Sequence, residues 1–177
     1  MKMSGLIVNL ILIFFASCQI FQINNDSSFK EIFVFGETVK QNYDLQIIGF
    51  GGGCNENKKH FSVTLLGKQH INLDEARALF YDLIETFLKL INLDDNLKLK
   101  YINYPFTYDD LDILIIFPNA EGYITGMASS FILDQKPFSL VYFFTYNIEL
   151  QRPMITYEEK YEQLKNIVES QRQTICN

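Results

Sequence analysis

The residues able to do chemistry in this chain are few, and their spacing argues against most of the reactions they suggest. Gly49-Phe50-Gly51-Gly52-Gly53 invites a phosphate-binding loop. The dinucleotide fingerprint needs a third glycine where Cys54 stands, and it must open a helix, whereas polar residues and a strand pattern follow here. No Gly-Lys-Ser/Thr completes a nucleoside-triphosphate loop either. A glycine run also permits positive φ, so the plain reading of Gly51, Gly52 and Gly53 is a turn, with ligand or partner contact as the alternative. Cys54, His60 and His70 are the soft metal ligands nearest one another, and their spacing fits no common zinc pattern. Asp109-Asp110-Leu111-Asp112 lacks the glycine and distal glutamate of a calcium loop and reads as the solvated entry to a strand. No metal and no cofactor is expected.

Nucleophilic catalysis fares no better. Ser129-Ser130 follows Gly126-Met127-Ala128, which is not a nucleophile elbow, and nothing in the spacing brings His60 or His70 to it. Asp82 and Glu85 fall on the wet face of a helix. No catalytic residue is assigned. The best binding feature is the aromatic parity of Phe138–Ile148, in which Tyr142, Phe144 and Tyr146 share a face. Left partly uncovered, that face would hold an apolar ligand or a partner. The alternative is that the N-terminal segment and a helix simply cover it.

Compartment is the better-marked property. The chain opens MKMSGLIVNLILIFFASC, with Lys2 before an apolar run at Leu6–Phe15 that is broken only by Asn9. The run is too short to span about 30 Å of hydrocarbon, yet it matches the core of a secretory signal. Phe15-Ala16-Ser17-Cys18 resembles the bacterial lipoprotein signal, with Phe15 where leucine is usual. That resemblance implies that Cys18 becomes the first mature residue and is acylated, each buried methylene contributing about 0.8 kcal/mol of anchoring. Ordinary cleavage without acylation and an uncleaved anchor helix are the alternatives, and all three imply export. With Cys18 acylated, Cys54 and Cys176 are left as an even pair that an oxidising compartment would allow to bridge; two free thiols is the other reading.

At 177 residues, 48% of them hydrophobic, with 16 Phe and 10 Tyr, the chain has one-domain length and material for a real core. The net charge of −6 argues against nucleic acid, which needs clustered Lys and Arg. It also argues against electrostatic docking on anionic lipid.

The elements that must position these residues follow from pattern. Gln19–Ser28 reads as a polar tether, and Phe29–Gln41 supports neither a helix nor a strand clearly. Leu45–Phe50, the glycines and Phe61–Leu66 read as strand, turn and strand. Asn72 and Glu75 form a capping box before a five-turn apolar stripe from Ala76 to Ile91. Leu111–Phe117, Tyr123–Leu133 and Phe138–Ile148 read as strands, the last two joined by a turn at Asp134–Pro137. The last is apolar on both faces, which predicts a central, doubly covered position. Thr156 and Glu159 suggest a second capping box before a helix whose face carries Tyr157, Tyr161, Leu164, Ile167 and Val168. The expected fold is α+β: an antiparallel sheet of about four or five strands packed by helices at about 72–92 and 157–172. Residues 1–17 would be a signal peptide, 18–28 the lipidated cysteine and tether, and 29–177 one domain.

Three pieces recur together: Gly51-Gly52-Gly53, Leu73-Asp74-Glu75-Ala76-Arg77, and Asn103-Tyr104-Pro105-Phe106-Thr107. The combination resembles small exported proteins of chlamydia-related bacteria that live in amoebae. The resemblance implies origin and compartment and no activity. The resulting expectation is an envelope lipoprotein, membrane-anchored through Cys18, that binds a protein or small apolar ligand without catalysis. A secreted host-facing factor released by ordinary cleavage is the second reading. A hydrolase-type enzyme with a sheet-borne site is the third.

Overall fold

A computed structural model describes residues 28–129 and 140–175. The leader, Cys18, the tether before Ser28, the turn at 134–137 and Cys176 lie outside the described residues. The chain is α+β, and the described residues form four helices and one mixed sheet. Helix α1 spans Ser28–Tyr43, α2 Leu73–Ile91, α3 Asp95–Lys100 and α4 Tyr161–Ile175. The strands are β1 Gln46–Asn55, β2 Lys58–Leu66, β3 Leu111–Ile116, β4 Ile124–Ser129, β5 Leu140–Asn147 and β6 Arg152–Lys160. They lie in sequence order across the sheet. Every neighbouring pair is antiparallel except β2 and β3, which are parallel and joined by the long α2 crossover.

One core holds these parts together. Phe61, Val63 and Leu65 of β2, Leu111, Ile113 and Ile115 of β3, Met127 of β4, and Val141 and Phe143 of β5 are one parity of each strand, and all are buried in it. Ile32, Phe35 and Val39 of α1, Ala76 to Ile91 of α2, and Tyr161, Leu164 and Val168 of α4 meet them. Phe87 is the hub, 4.8 Å from the Phe35 ring and 5.7 Å from Phe61. The helices therefore cover one face of the sheet.

α1 resolves the ambiguous N-terminal segment. Ile32, Phe35 and Val39 stand at i, i+3 and i+7 and bury their side chains, while Phe33 and Val34 point outward and blur the period in sequence. The α2 capping box forms as expected: Asn72 Oδ1 accepts from Glu75 N–H at 3.0 Å, and Glu75 Oε2 accepts from Asn72 N–H at 2.8 Å. Asn92, just past the helix end, bonds Phe106 N–H and C=O at 2.8 and 2.9 Å and so fixes the connector to β3.

Three expectations are corrected. The glycines are not the turn: β1 runs through Gly51, Gly52 and Gly53, and the chain reverses at Glu56 and Asn57, whose φ angles are +48° and +63°. Two consecutive positive φ values form a tight hairpin turn, and Asn tolerates that region well. Next, the Thr156–Glu159 capping box does not form, because both residues lie in β6, a sixth strand beyond the expected count. Tyr157, expected on the helix, pairs with Phe143 in the ladder. α4 starts at Tyr161 instead, where Gln163 Oε1 reaches back to Lys160 N–H at 3.2 Å. Finally, β5 is next to the edge and not central. It reads as apolar on both faces because Val141 and Phe143 enter the core while Tyr142 is buried on the opposite face.

Candidate functional site

A concavity lies between α1 and the edge strand β1. It is a groove of about 560 Å³ lined by Ile32, Phe33, Gly36, Ile47, Ile48 and Phe50, with Glu37 and Lys40 among its polar lining. Its existence follows from local sequence. Gly36 lets α1 approach β1 closely, since a Cβ there would sit 3.0 Å from Ile47 Cδ1. The ladder slips between Ile47 and Gly49, a bulge that turns Ile48 outward. Phe33 and Phe50 meet edge to face at 6.4 Å and form one wall. The sequence carries a usable signal for this groove: an uncharged stretch at Gln46–Asn55 close after the apolar Phe33-Val34-Phe35.

The glycines sit on the same strand. Gly52 has φ +146°, and a Cβ there would come 2.1 Å from the His60 carbonyl oxygen, so the hairpin requires glycine at this position. Gly51 and Gly53 meet nothing within 4 Å of such an atom and border open space. Cys54, two residues on from Gly52, is an exposed free thiol.

The second expected contact set is elsewhere. Tyr142, Phe144 and Tyr146 lie on the face opposite the helices, where Ala128 and Tyr142 are paired and buried and Phe144 and Tyr146 are half-buried. β5 stands four strand spacings from β1, on the order of 19 Å. The two sets do not form one site.

Three polar residues that looked unrelated in sequence do meet. His60 Nε2 lies 2.7 Å from Asp112 Oδ2, and Ser129 Oγ donates to Asp112 Oδ1 at 3.3 Å while accepting from Ile113 N–H at 3.2 Å. Their order is wrong for activating a nucleophile. The carboxylate stands between serine and imidazole, so the hydroxyl is directed at Asp112 and not at a base. The chain of bonds satisfies a buried carboxylate and ties β2, β3 and β4 together. Asp110, by contrast, caps its own turn through Thr107 N–H at 2.8 Å and accepts from Asn103 at 2.6 Å. The acidic run therefore splits between two tasks. His70 is exposed and packs on Tyr123. Among the described residues no group of three metal-ligating side chains forms.

Shifted titrations mark helix packing. Burial, and then the Glu85 carboxylate that accepts its hydroxyl at 3.1 Å, hold the Tyr161 phenol above its usual range. Tyr81 is pushed up to about 12 by burial and by its bond to Glu169 at 3.0 Å. Both ties fasten α4 to α2. Burial, with the nearby Asp94 charge adding to it, raises Glu31 on α1.

Fold and groove together define a class: a small α+β module with one mixed sheet, helices on one face, and an apolar groove between its first helix and an edge strand. No family model matches the chain, and comparison with curated proteins and with solved structures finds no match.

Proposed function

We propose that this protein is an exported binding module, anchored in a membrane of the cell envelope by acyl chains on Cys18, that engages an apolar group in the α1–β1 groove. The observation that carries the binding reading is the groove itself. Its walls are apolar, its two charged residues, Glu37 and Lys40, are of opposite sign, and the His60–Asp112–Ser129 chain of bonds involves other residues. Ligand sites are commonly concave and mostly apolar, with a few polar groups to orient the occupant. The anchoring reading rests on the leader sequence, and the likeness to exported proteins of chlamydia-related bacteria supports it.

Two measurements test the two halves. Palmitate labelling in a bacterial host should mark the wild type and not Cys18→Ala, with the variant leaving the membrane fraction. Label on neither protein, with the chain in the medium, would establish the secreted alternative. Nile red, an uncharged apolar fluorophore, should brighten on the full chain and lose most of that signal with Phe33→Glu. Unchanged brightening would exclude the groove.

A further inference from the structure

We infer that the outer edge of β1 accepts an extended, uncharged peptide segment as a seventh strand, with alternate side chains seated in the groove against Phe33 and Gly36. This inference rests on the binding reading and names the chemistry of the partner.

The two edges of the sheet are built differently. β6 carries Arg152, Pro153, Glu158 and Lys160, the charges and proline that keep an exposed strand from pairing. β1, Gln46–Asn55, has no charge and no proline in ten residues, and its one irregularity is the bulge at Ile48. Among the described residues β1 pairs with β2 alone. Alternate residues of an antiparallel strand turn N–H and C=O away from their partner, so this edge offers hydrogen bonds suited to another extended main chain. Gly51 and Gly53 add no side chain to obstruct it.

The groove supplies the second half of the recognition. A strand laid along β1 sends every other side chain toward the helix face, where Phe33, Gly36 and Ile47 wait. Glu37 and Lys40 balance in charge there, so nothing in the groove favours a charged side chain over an apolar one.

Area argues for a peptide over a second copy of this chain. Phe33 is 68% exposed and Ile48 51%. With a large side chain offering on the order of 150–250 Å², these leave roughly 250 Å² of apolar surface. A stable dimer buries about 800 Å² per partner. An added strand needs less, because main-chain hydrogen bonds supply affinity and pockets for alternate side chains supply selectivity.

The test titrates capped hexapeptides, alternating threonine with valine, isoleucine or phenylalanine, into the full chain. Amide shifts and slowed hydrogen exchange should concentrate in residues 46–55, with smaller shifts in α1. Phe33→Glu and Gly51→Lys should each weaken binding at least about tenfold, a loss of about 1.4 kcal/mol. Phe33 is exposed and Gly51 borders open space, so neither change disturbs the core, and an otherwise retained amide spectrum verifies this. N-methylation of alternate peptide amides should abolish binding. The inference is overturned if no peptide binds or if the N-methylated ones bind equally. It is also overturned if the β1 amides that face away from β2 are already protected without peptide. Protection in a sedimenting dimer would make a second copy the occupant, and protection in a monomer would point to residues 19–27 of the same chain. Nile red separates the two levels: dye binding that depends on Phe33, together with peptide failure, keeps the groove and discards the seventh strand.

Discussion

Arg77 of α2 grips Glu159 of β6 with two parallel bonds, Nε to Oε1 at 2.9 Å and Nη2 to Oε2 at 3.1 Å, across 82 positions of sequence. Both side chains are mostly buried, 18% and 12% exposed, so the pair is less screened than an ordinary surface bridge. The bond to Glu159 is also the main reason the Arg77 guanidinium is held above its already high value. Glu159→Ala leaves a partly desolvated guanidinium with exposed Asp74 as its remaining ion-pair partner among the described residues, and the unsatisfied donors should cost roughly 1–3 kcal/mol in urea unfolding of the full chain. Arg77→Ala should cost a similar amount, and the double variant less than the sum. Strict additivity would mean that the pair is not coupled.

Gly52 should be the one glycine of the run that tolerates no side chain. Gly52→Ala drives a Cβ into the His60 carbonyl at positive φ and should lose at least about 2 kcal/mol. Gly51→Ala and Gly53→Ala should stay within about 0.5 kcal/mol of the wild type. Thermal melts of the three variants check this, and equal effects would argue against the register of the β1–β2 hairpin.

Phe87→Ala removes the ring on which Phe35 of α1 and Phe61 of β2 converge. With no exposed surface at that position, the loss should be about 3–5 kcal/mol. Because α1 rests on this ring, Nile red fluorescence from the groove should weaken in parallel. A stable Phe87→Ala protein with an intact groove would contradict the core described above.

Glu31 gives a pH dependence with a definite sign. Its folded-state pKa is raised, first by burial and then by Asp94, so the native state binds this proton more tightly than the unfolded chain does. Its stabilising contribution is present below the ordinary carboxylate range and is lost as pH rises through the raised value. Glu31→Gln should therefore be more stable than wild type at pH 7, by about 0.5 kcal/mol or less, and lose that advantage in acid. Chemical unfolding at two pH values measures it, and an advantage that grows in acid would reverse the assignment.

The legible parts of this fold were those whose signals are local. Asn72 and Glu75 cap α2 because a capping box is a contact between residues three apart, and the stripe from Ala76 to Ile91 has a period that nothing else imitates. The same rule applied to Thr156 and Glu159 misled. Those residues carry the right letters, but Glu159 is drawn to Arg77 and Tyr157 to a place opposite Phe143. Long-range partners outweighed a local preference worth about 1 kcal/mol. The site divides the same way. Gly51, Gly52 and Gly53 were visible as unusual, whereas the groove beside them depends on α1 lying against β1, a contact between segments that each read ambiguously.

By itself the amino-acid sequence determined the α+β class, the capped helix α2 and the acidic net charge, since each depends on composition or on neighbours a few residues apart. Tertiary structure alone decided that the glycine run is an edge strand, that His60, Asp112 and Ser129 meet with the carboxylate in the middle, and that β6 exists. The physical reason is the same in every case. A strand's place, its exposed edge and its bonded partners are properties of pairs far apart in the chain, and which pair forms depends on the packing of the whole core.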